Sequence, residues 1–505
     1  MTPYITTPIS SAASGKRIVI IGAGLGGLSC AIRLAAAGCR VTVIEAQPRP
    51  GGKLARIEQS GYRFDRGPST ITMPGAFASV FTAVGRRMED YVTLYRLDPS
   101  TRNLFADGHK VDLCRDRERM KEQLAAFSPE DARQYDAFMD EAERLYRLSE
   151  RHFLSRLLLS WRDKADPALL RAFLRVRPFT RLNQLLRRYF RHSHTLAMFG
   201  RYATYVGGSP TAAPAIFAML AHVETEIGVY GVRGGTYELV QAFVRLAEEL
   251  GVTIVCGARA KQIAVRNGRA HGVLTTAGDL PADEVVVGAD LLTACRELLP
   301  PGCRQHMTDA RIDAYEPSLS GFVILAGVPQ TFPQLLHHTL LFPERYGEEF
   351  TDIFRHGRPA SDPALYLCNS SFSDPEAAPA GGSNLFILAN APYLGSGASW
   401  TFGETLLYRD LLLERLERRG FGKLGQTAQT LEVYTPADLR RDTSAFRGAI
   451  YGISANTRRQ TFFRPSNRSR DVQGLWFTGG TTHPGGGTPI VVLSGQRVAE
   501  RLLEG

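Results

Sequence analysis

The sequence predicts an α/β fold with a buried parallel sheet, and two stretches at opposite ends of the chain predict it. Near the N-terminus, Arg17-Ile18-Val19-Ile20-Ile21 is a β-branched run that reads as a strand buried on both faces. It runs into Gly22-Ala23-Gly24-Leu25-Gly26-Gly27, then into an apolar small-residue helix over Leu28 to Ala37 that Gly38 stops. A second strand, Val41 to Ile44, follows and ends at Glu45. Near the C-terminus, Gly474 to Phe477 leads through the glycine-rich stretch Thr478 to Thr488 into a helix over Val491 to Leu503. The chain thus writes strand, glycine loop and helix twice.

The order of the first unit carries its chemistry. Gly22 permits a tight turn, Gly24 lets backbone approach a pyrophosphate, and Gly27 lets helix and strand pack closely. The helix start then offers unpaired N–H groups and a positive dipole end to phosphates. Glu45, about twenty residues on, is placed to accept hydrogen bonds from a ribose hydroxyl. Strand, glycines, helix, strand and acid in this order make a Rossmann-like dinucleotide-binding unit. A membrane span over Ile18 to Gly38 is disfavoured by Arg33 in its middle and by the glycine density.

With 505 residues, 44% hydrophobic and 22% charged, the chain has room for two or more globular domains and a large core. Met1 to Gly15 is a polar Ser/Thr/Pro tail without the basic start or apolar core of a secretory signal. The seven cysteines include no C-x-x-C pair and read as core thiols of a reducing compartment. The close pairs His192/His194 and His337/His338 have no third ligand nearby in sequence, so no metal site is expected. The net charge of +10 is concentrated: Arg147 to His192 holds twelve basic side chains against three acidic ones, a local +9. No nucleic-acid-binding motif accompanies that charge, so nucleic acid is not an expected partner.

Taken in order, Pro50-Gly51-Gly52-Lys53 is a glycine turn ending in a cation, and Ile57 to Phe64 reads as a hairpin turning at Ser60-Gly61. Tyr95 to Asp112 reads as a strand pair around Asp107-Gly108. Glu118 to Leu148 has helical spacing. In the basic segment, Leu154, Leu157, Leu158 and Trp161 share one helical face, and Leu182, Leu185, Leu186, Tyr189 and Phe190 share another. Thr236 to Leu250 is a helix, Asn267-Gly268 a hairpin turn, and Val285 to Asp290 a strand returning toward the fingerprint. Pro300 to Pro436 alternates strands with one clear helix, Thr401 to Arg419.

Several of these stretches carry a resemblance. Gly51-Gly52-Lys53 with Gly61-Tyr62-Arg63-Phe64-Asp65-Arg66-Gly67-Pro68-Ser69-Thr70, then Arg201 to Pro210, Val223 to Gly235 and Thr482-His483-Pro484-Gly485-Gly486-Gly487-Thr488-Pro489 resemble the bacterial phytoene-desaturase family of carotenoid-modifying FAD enzymes. The resemblance covers most of the chain. It implies a two-dinucleotide-binding-fold flavoprotein, with an FAD domain over residues 15–75, 235–300 and 440–505 and a discontinuous α+β substrate domain over 76–234 and 301–439. It also implies non-covalent FAD held by Gly22, Gly24, Gly27, Glu45, Gly52, Lys53, Gly67, Ser69, Gly480, Thr481 and Thr488. No cysteine in the C-terminal loop is placed for covalent attachment, and His483 is expected to shape the loop.

The implied reaction oxidises a long isoprenoid polyene by loss of hydride to FAD and of a proton from the adjacent carbon, with oxygen or a quinone as terminal acceptor. An apolar tunnel with few catalytic side chains would suffice. Desaturation is the first expectation. The Gly485-Gly486-Gly487-Thr488-Pro489 form of the loop resembles the diapocarotenoid oxygenases, which makes terminal-methyl oxidation the second. An amine oxidase and a non-catalytic prenyl-binding protein are the rivals from other classes. Glu226 is the candidate catalytic carboxylate, as acceptor of the released proton, with an interdomain salt bridge as its alternative role. The arginines and apolar residues of the basic segment predict a cytoplasmic protein lying monotopically on an anionic membrane, near the tunnel mouth. The alternative for that segment is a helical subdomain whose apolar faces pack inward.

Overall fold

Five parallel strands form the sheet on which the fingerprint sits. The structure is a computed structural model that describes residues 15–159, 163 and 165–504. The strands lie in the spatial order Thr253–Val255, Arg40–Ile44, Arg17–Ile21, Glu284–Val287 and Leu475–Phe477. Ile20, Val43, Val285 and Val286 are fully buried, as their β-branched runs require of a sheet covered on both faces. The chain crosses from Arg17–Ile21 outward to one side and later returns to the other, so a crevice opens at the carboxyl ends of the strands.

The fingerprint helix, Leu25–Ala36, and the C-terminal helix, Thr488–Glu504, pack directly against each other. Glycine makes the contact possible. A Cβ on Gly495 would stand 2.1 Å from the Gly26 carbonyl oxygen, and one on Gly26 would stand 3.1 Å from that of Val491. Ser29 Oγ also donates to the Val492 carbonyl at 2.8 Å. Arg33, buried in the same helix, pairs with Glu500 at 3.0 Å.

A seven-stranded sheet stands beside the first, in the order Thr430–Tyr434, Ser320–Val328, Ser383–Ala391, Leu365–Asn369, His338–Leu341, Thr101–Leu104 and Lys110–Leu113. All its pairings are antiparallel except that of His338–Leu341 with Thr101–Leu104. Helices from Arg117–Ala125 to Met219–His222 build a separate core around Phe138, Leu185, Phe190 and Phe199.

Three expectations change here. Tyr95 does not pair around the Asp107-Gly108 turn. That hairpin joins Thr101–Leu104 to Lys110–Leu113, while Leu94–Leu97 pairs with Val229–Val232. Pro99, between the two strands, has no N–H to continue a ladder. The helical spacing over Glu118 to Leu148 resolves into two helices, Arg117–Ala125 and Pro129–Ser149, because Ser128 caps the second through Asp131 N and Pro129 starts it. In the basic segment Leu154, Leu157, Leu186 and Phe190 point inward, where Phe190 stacks on Phe199 at 5.2 Å between ring centroids. Leu170 and Leu174 remain exposed, and Trp161 lies outside the described residues.

Gly495→Val tests the helix contact. Its branches meet backbone, which cannot rotate away, so stability should fall by about 1–3 kcal/mol. The check is a thermal melt, which should shift down together with flavin release; an unchanged melt would contradict the close approach.

Candidate functional site

One continuous cavity of about 590 Å³ runs from the fingerprint to the face of the seven-stranded sheet. At its nucleotide end Gly22 turns at φ +102°, a conformation that side chains rarely adopt. A Cβ on Gly27 would lie 2.2 Å from the Gly22 carbonyl oxygen, which is the close helix–strand packing its position predicts. Gly24 and Gly52 face each other across the cavity edge, where a Cβ on Gly52 would stand 3.3 Å from the Gly24 Cα. Glu45 accepts from Ala23 N and Gln47 N at 2.9 Å each, which fixes its carboxylate at the mouth of the fingerprint. The first-turn N–H groups of Leu25–Ala36 have no carbonyl one turn back and open onto the same space.

These residues fit FAD. Of those the resemblance implies, Gly22, Gly24, Glu45, Gly52, Lys53, Gly67, Ser69, Gly480, Thr481 and Thr488 all line the cavity, and Gly27 stands just behind it as a packing residue. Lys53 Nζ donates to the Ala449 and Ile450 carbonyls, and burial lowers its pKa to about 8, partly offset by Asp290. Asp290 caps the helix after its strand through Leu292 N and Thr293 N, and it accepts from Thr481 Oγ1 at 2.8 Å. That carboxylate ties the C-terminal loop to the start of the helix Leu291–Leu298. His483 reaches the Phe153 carbonyl at 2.8 Å and so docks the C-terminal loop against the basic segment.

Beyond the loops the cavity becomes an apolar chamber, with Leu154, Ile216, Phe217, Leu340, Phe386 and Leu388 in its walls. Its polar groups are mostly neutral. Burial pushes the hydroxyls of Tyr205, Tyr346 and Tyr366 above their ordinary range, so they stay phenols. Tyr366 Oη meets Ser69 Oγ at 2.6 Å. Asn390 donates to Glu349 at 2.7 Å, and burial pushes that carboxyl up to about 7.

The charged pair in the wall is Arg201 with Glu224, 2.5 Å apart and both buried, and Tyr202 and Tyr205 also donate to the carboxylate. The structure does not bring Glu226 into the chamber. Its carboxylate is about a quarter exposed and pairs with Arg117 at 3.1 Å. Val223–Ile227 is a wide π-helical turn, which aims Glu224 inward and leaves Glu226 on the outer side.

Sequence reasoning also missed Arg464. It lines the cavity beside the C-terminal loop and donates to the Gly480 carbonyl at 2.8 Å. Among the described residues it has no carboxylate partner, and burial lowers its pKa to about 10. A guanidinium so enclosed is available to a carbonyl or anionic group of a bound molecule.

The family model described as flavin containing amine oxidoreductase matches residues 25–503 of the chain. A 4,4'-diapolycopene oxygenase from Methylomonas sp is 36% identical over 490 residues, covering 97% of this chain and 98% of its own length. A 4,4'-diaponeurosporene oxygenase from Staphylococcus haemolyticus is 34% identical over 499 residues, covering 97% of each chain. Among solved structures, an oxidoreductase from Methanosarcina mazei aligns with a TM-score of 0.62 over 97% of this chain and 100% of its own, at 16% identity, and shares the fold.

Two variants test the site. In Gly24→Val the added Cβ has no neighbour nearer than 3.9 Å, so the protein should fold yet purify without FAD, because the branches occupy the pyrophosphate's space. Full flavin content would contradict that placement. Glu349, with its folded pKa raised above the unfolded value, favours the fold below the ordinary carboxylate range and loses that contribution as pH rises through about 7. Glu349→Gln should therefore melt higher than wild type at pH 8 but not at pH 4, by up to about 3 kcal/mol. Parallel pH profiles of the two melts would contradict it.

Proposed function

With this chain a member of the flavin containing amine oxidoreductase family, we propose that it oxidises an acyclic carotenoid polyene and places oxygen on a terminal methyl carbon. The substrate class comes from the near-full-length relatives, both named as diapocarotenoid oxygenases. The loop Gly485-Gly486-Gly487-Thr488-Pro489 supports the same reading from sequence. What carries it is the single cavity that joins a dinucleotide-binding end to an apolar chamber. Desaturation is the second reading, favoured by the Thr482-His483-Pro484-Gly485 loop and by a chamber in which a hydrocarbon can lie beside the cofactor.

Bound FAD would supply the hydride acceptor in two successive two-electron oxidations, with water or dioxygen giving the oxygen atom and oxygen or a quinone taking the electrons onward. The chain's own residues hold and orient. Apolar walls exclude water and align a substrate with few polar handles. Lys53 and Arg464 set a positive field by the glycine loops, which favours negative charge on a reduced ring. Arg201 and Glu224 fix Tyr205 in the wall.

The test is incubation of the holoprotein with diapolycopene or diaponeurosporene, followed by mass analysis. Terminal oxidation gives a product that has lost two hydrogens and gained one oxygen. Loss of two hydrogens alone from diaponeurosporene, which keeps one saturated bond in its chain, establishes desaturation instead, and both polyenes unchanged contradicts both readings.

We further propose that the enzyme takes this substrate from a membrane surface. Among the described residues no helix is long and apolar enough to cross a membrane. Leu170, Leu174, Phe179 and Phe463 are each more than half exposed, with Arg171, Arg175 and Arg458 exposed around them. Phe173 packs edge-on against Phe462, which lines the cavity, so the patch adjoins its rim. Each cation near an anionic leaflet contributes about 1 kcal/mol, and each exposed large side chain about 1.5–3 kcal/mol when buried in lipid.

Wild type should co-sediment with anionic liposomes at low salt. Changing Leu170, Leu174 and Phe179 to Ser, or Arg181, Arg187, Arg188 and Arg191 to Gln, should weaken binding at least about tenfold. Equal sedimentation of all three proteins, or none for wild type, would remove the segment as the anchor.

A further inference from the structure

The pair His337/His338 has no third ligand near it in sequence, but the fold supplies one. His338–Leu341 and Leu365–Asn369 pair antiparallel with His338 directly opposite Cys368, so both side chains share a face of the sheet. His337, His338 and Cys368 are all buried, and one ligand atom from each lies within 4.8 Å of the others. Tetrahedral bonds of about 2.0–2.3 Å put neighbouring ligand atoms roughly 3.3–3.8 Å apart, so turning the rings by about an ångström closes the set.

Two further observations point to a ligand. His337 Nδ1 and His338 Nε2 are buried without a hydrogen-bond partner. Leaving two such nitrogens desolvated is costly, and a bound species would relieve both. A small cavity of about 20 Å³, enough for one water or ion, is lined by His337 and Cys368 together with Ser69, Asp65 and Asp374.

We propose that His337, His338 and Cys368 hold a zinc-class divalent cation, with a water in the small cavity as fourth ligand. Two imidazoles and a thiolate are the donors of a borderline-soft ion. The hydrogen bonding of His338 already has the required form. Its Nδ1 shares a 2.7 Å hydrogen bond with Tyr366 Oη, and with the proton on Nδ1 the lone pair of Nε2 is the free one. The ion takes Cys368 as the thiolate, and the thiol proton leaves to solvent as the S–metal bond forms. Asp65 and Asp374 also line the small cavity, Asp374 paired with Arg63 and Arg233 and Asp65 accepting from Thr236 N and Tyr237 N.

The site is distinct from the flavin cleft but touches its wall. Tyr366 and Ser69 line the large cavity, and they are hydrogen-bonded to each other and, through Tyr366, to His338. The ion would lock the strand pair that presents Tyr366 to the chamber, a structural role independent of which polyene is oxidised.

The experiment uses the FAD-loaded protein incubated with zinc sulfate, desalted, and assayed for metal by mass spectrometry and for ligands by X-ray absorption at the zinc edge. About one zinc per chain is expected, with one sulfur at about 2.3 Å and imidazole nitrogens at about 2.0–2.1 Å. Cys368→Ala and His337→Gln should each lower retained zinc about tenfold or more while keeping wild-type flavin absorbance. The exposed group Asp107, His109 and His194 is the competing binder and has no sulfur. No retained zinc, a shell of nitrogen and oxygen alone, or undiminished zinc in Cys368→Ala overturns the proposal. Should a variant fail to fold, the sulfur shell of the wild type decides.

Discussion

A Cβ on Gly495 would stand 2.1 Å from the Gly26 carbonyl, one on Gly27 2.2 Å from that of Gly22, and one on Gly52 3.3 Å from the Gly24 Cα. The first of these contacts joins the fingerprint helix to the C-terminal helix, although more than 450 residues separate them, and the other two close the packing within the N-terminal unit. Any side chain there would push the C-terminal helix off the sheet or fill the space a pyrophosphate needs. The Arg33–Glu500 pair holds the same two helices, and the Asp290–Thr481 hydrogen bond ties the C-terminal loop to the chain leaving the strand Glu284–Val287. Everything beyond the cleft, including the chamber between the sheets, takes its position from that contact.

The chamber follows from where polar groups are satisfied. Arg201 and Glu224 neutralise each other inside the wall, and the tyrosines around them stay protonated. A buried pair of this kind is a positioning element whose partners cannot be removed singly without leaving a charge in low dielectric. The remaining walls are aliphatic and aromatic, suited to a hydrocarbon and to exclusion of water. The exposed leucines and phenylalanines near Phe462 continue that apolar surface to the outside, with arginines at its edge.

What the sequence made legible was local chemistry. Gly22 to Gly27 and Glu45 announce their roles because turn, helix start and acid lie within thirty residues and each has its own physical requirement. The turns at Ser60-Gly61, Asp107-Gly108 and Asn267-Gly268 were readable for the same reason. Sequence reasoning chose Glu226 where the fold buries Glu224, because a π-helical turn breaks the spacing from which faces are inferred. Cys368 could not be assigned to His338, since strand register over some thirty residues has no sequence signal. Leu186 and Phe190 looked like a membrane face because an amphipathic helix shows only that one side is apolar, not what covers it. Arg464 carried no motif at all; its isolation appears only once the loop folds over it.

FAD in the cleft should meet a polyene, and not an amine, in the chamber. Anaerobic mixing tests it most directly, with the flavin absorbance followed after adding diapolycopene to one sample of the holoprotein and putrescine to another. The polyene should bleach the oxidised-flavin band and the amine should leave the spectrum unchanged. Bleaching by the amine with no response to the polyene would contradict it.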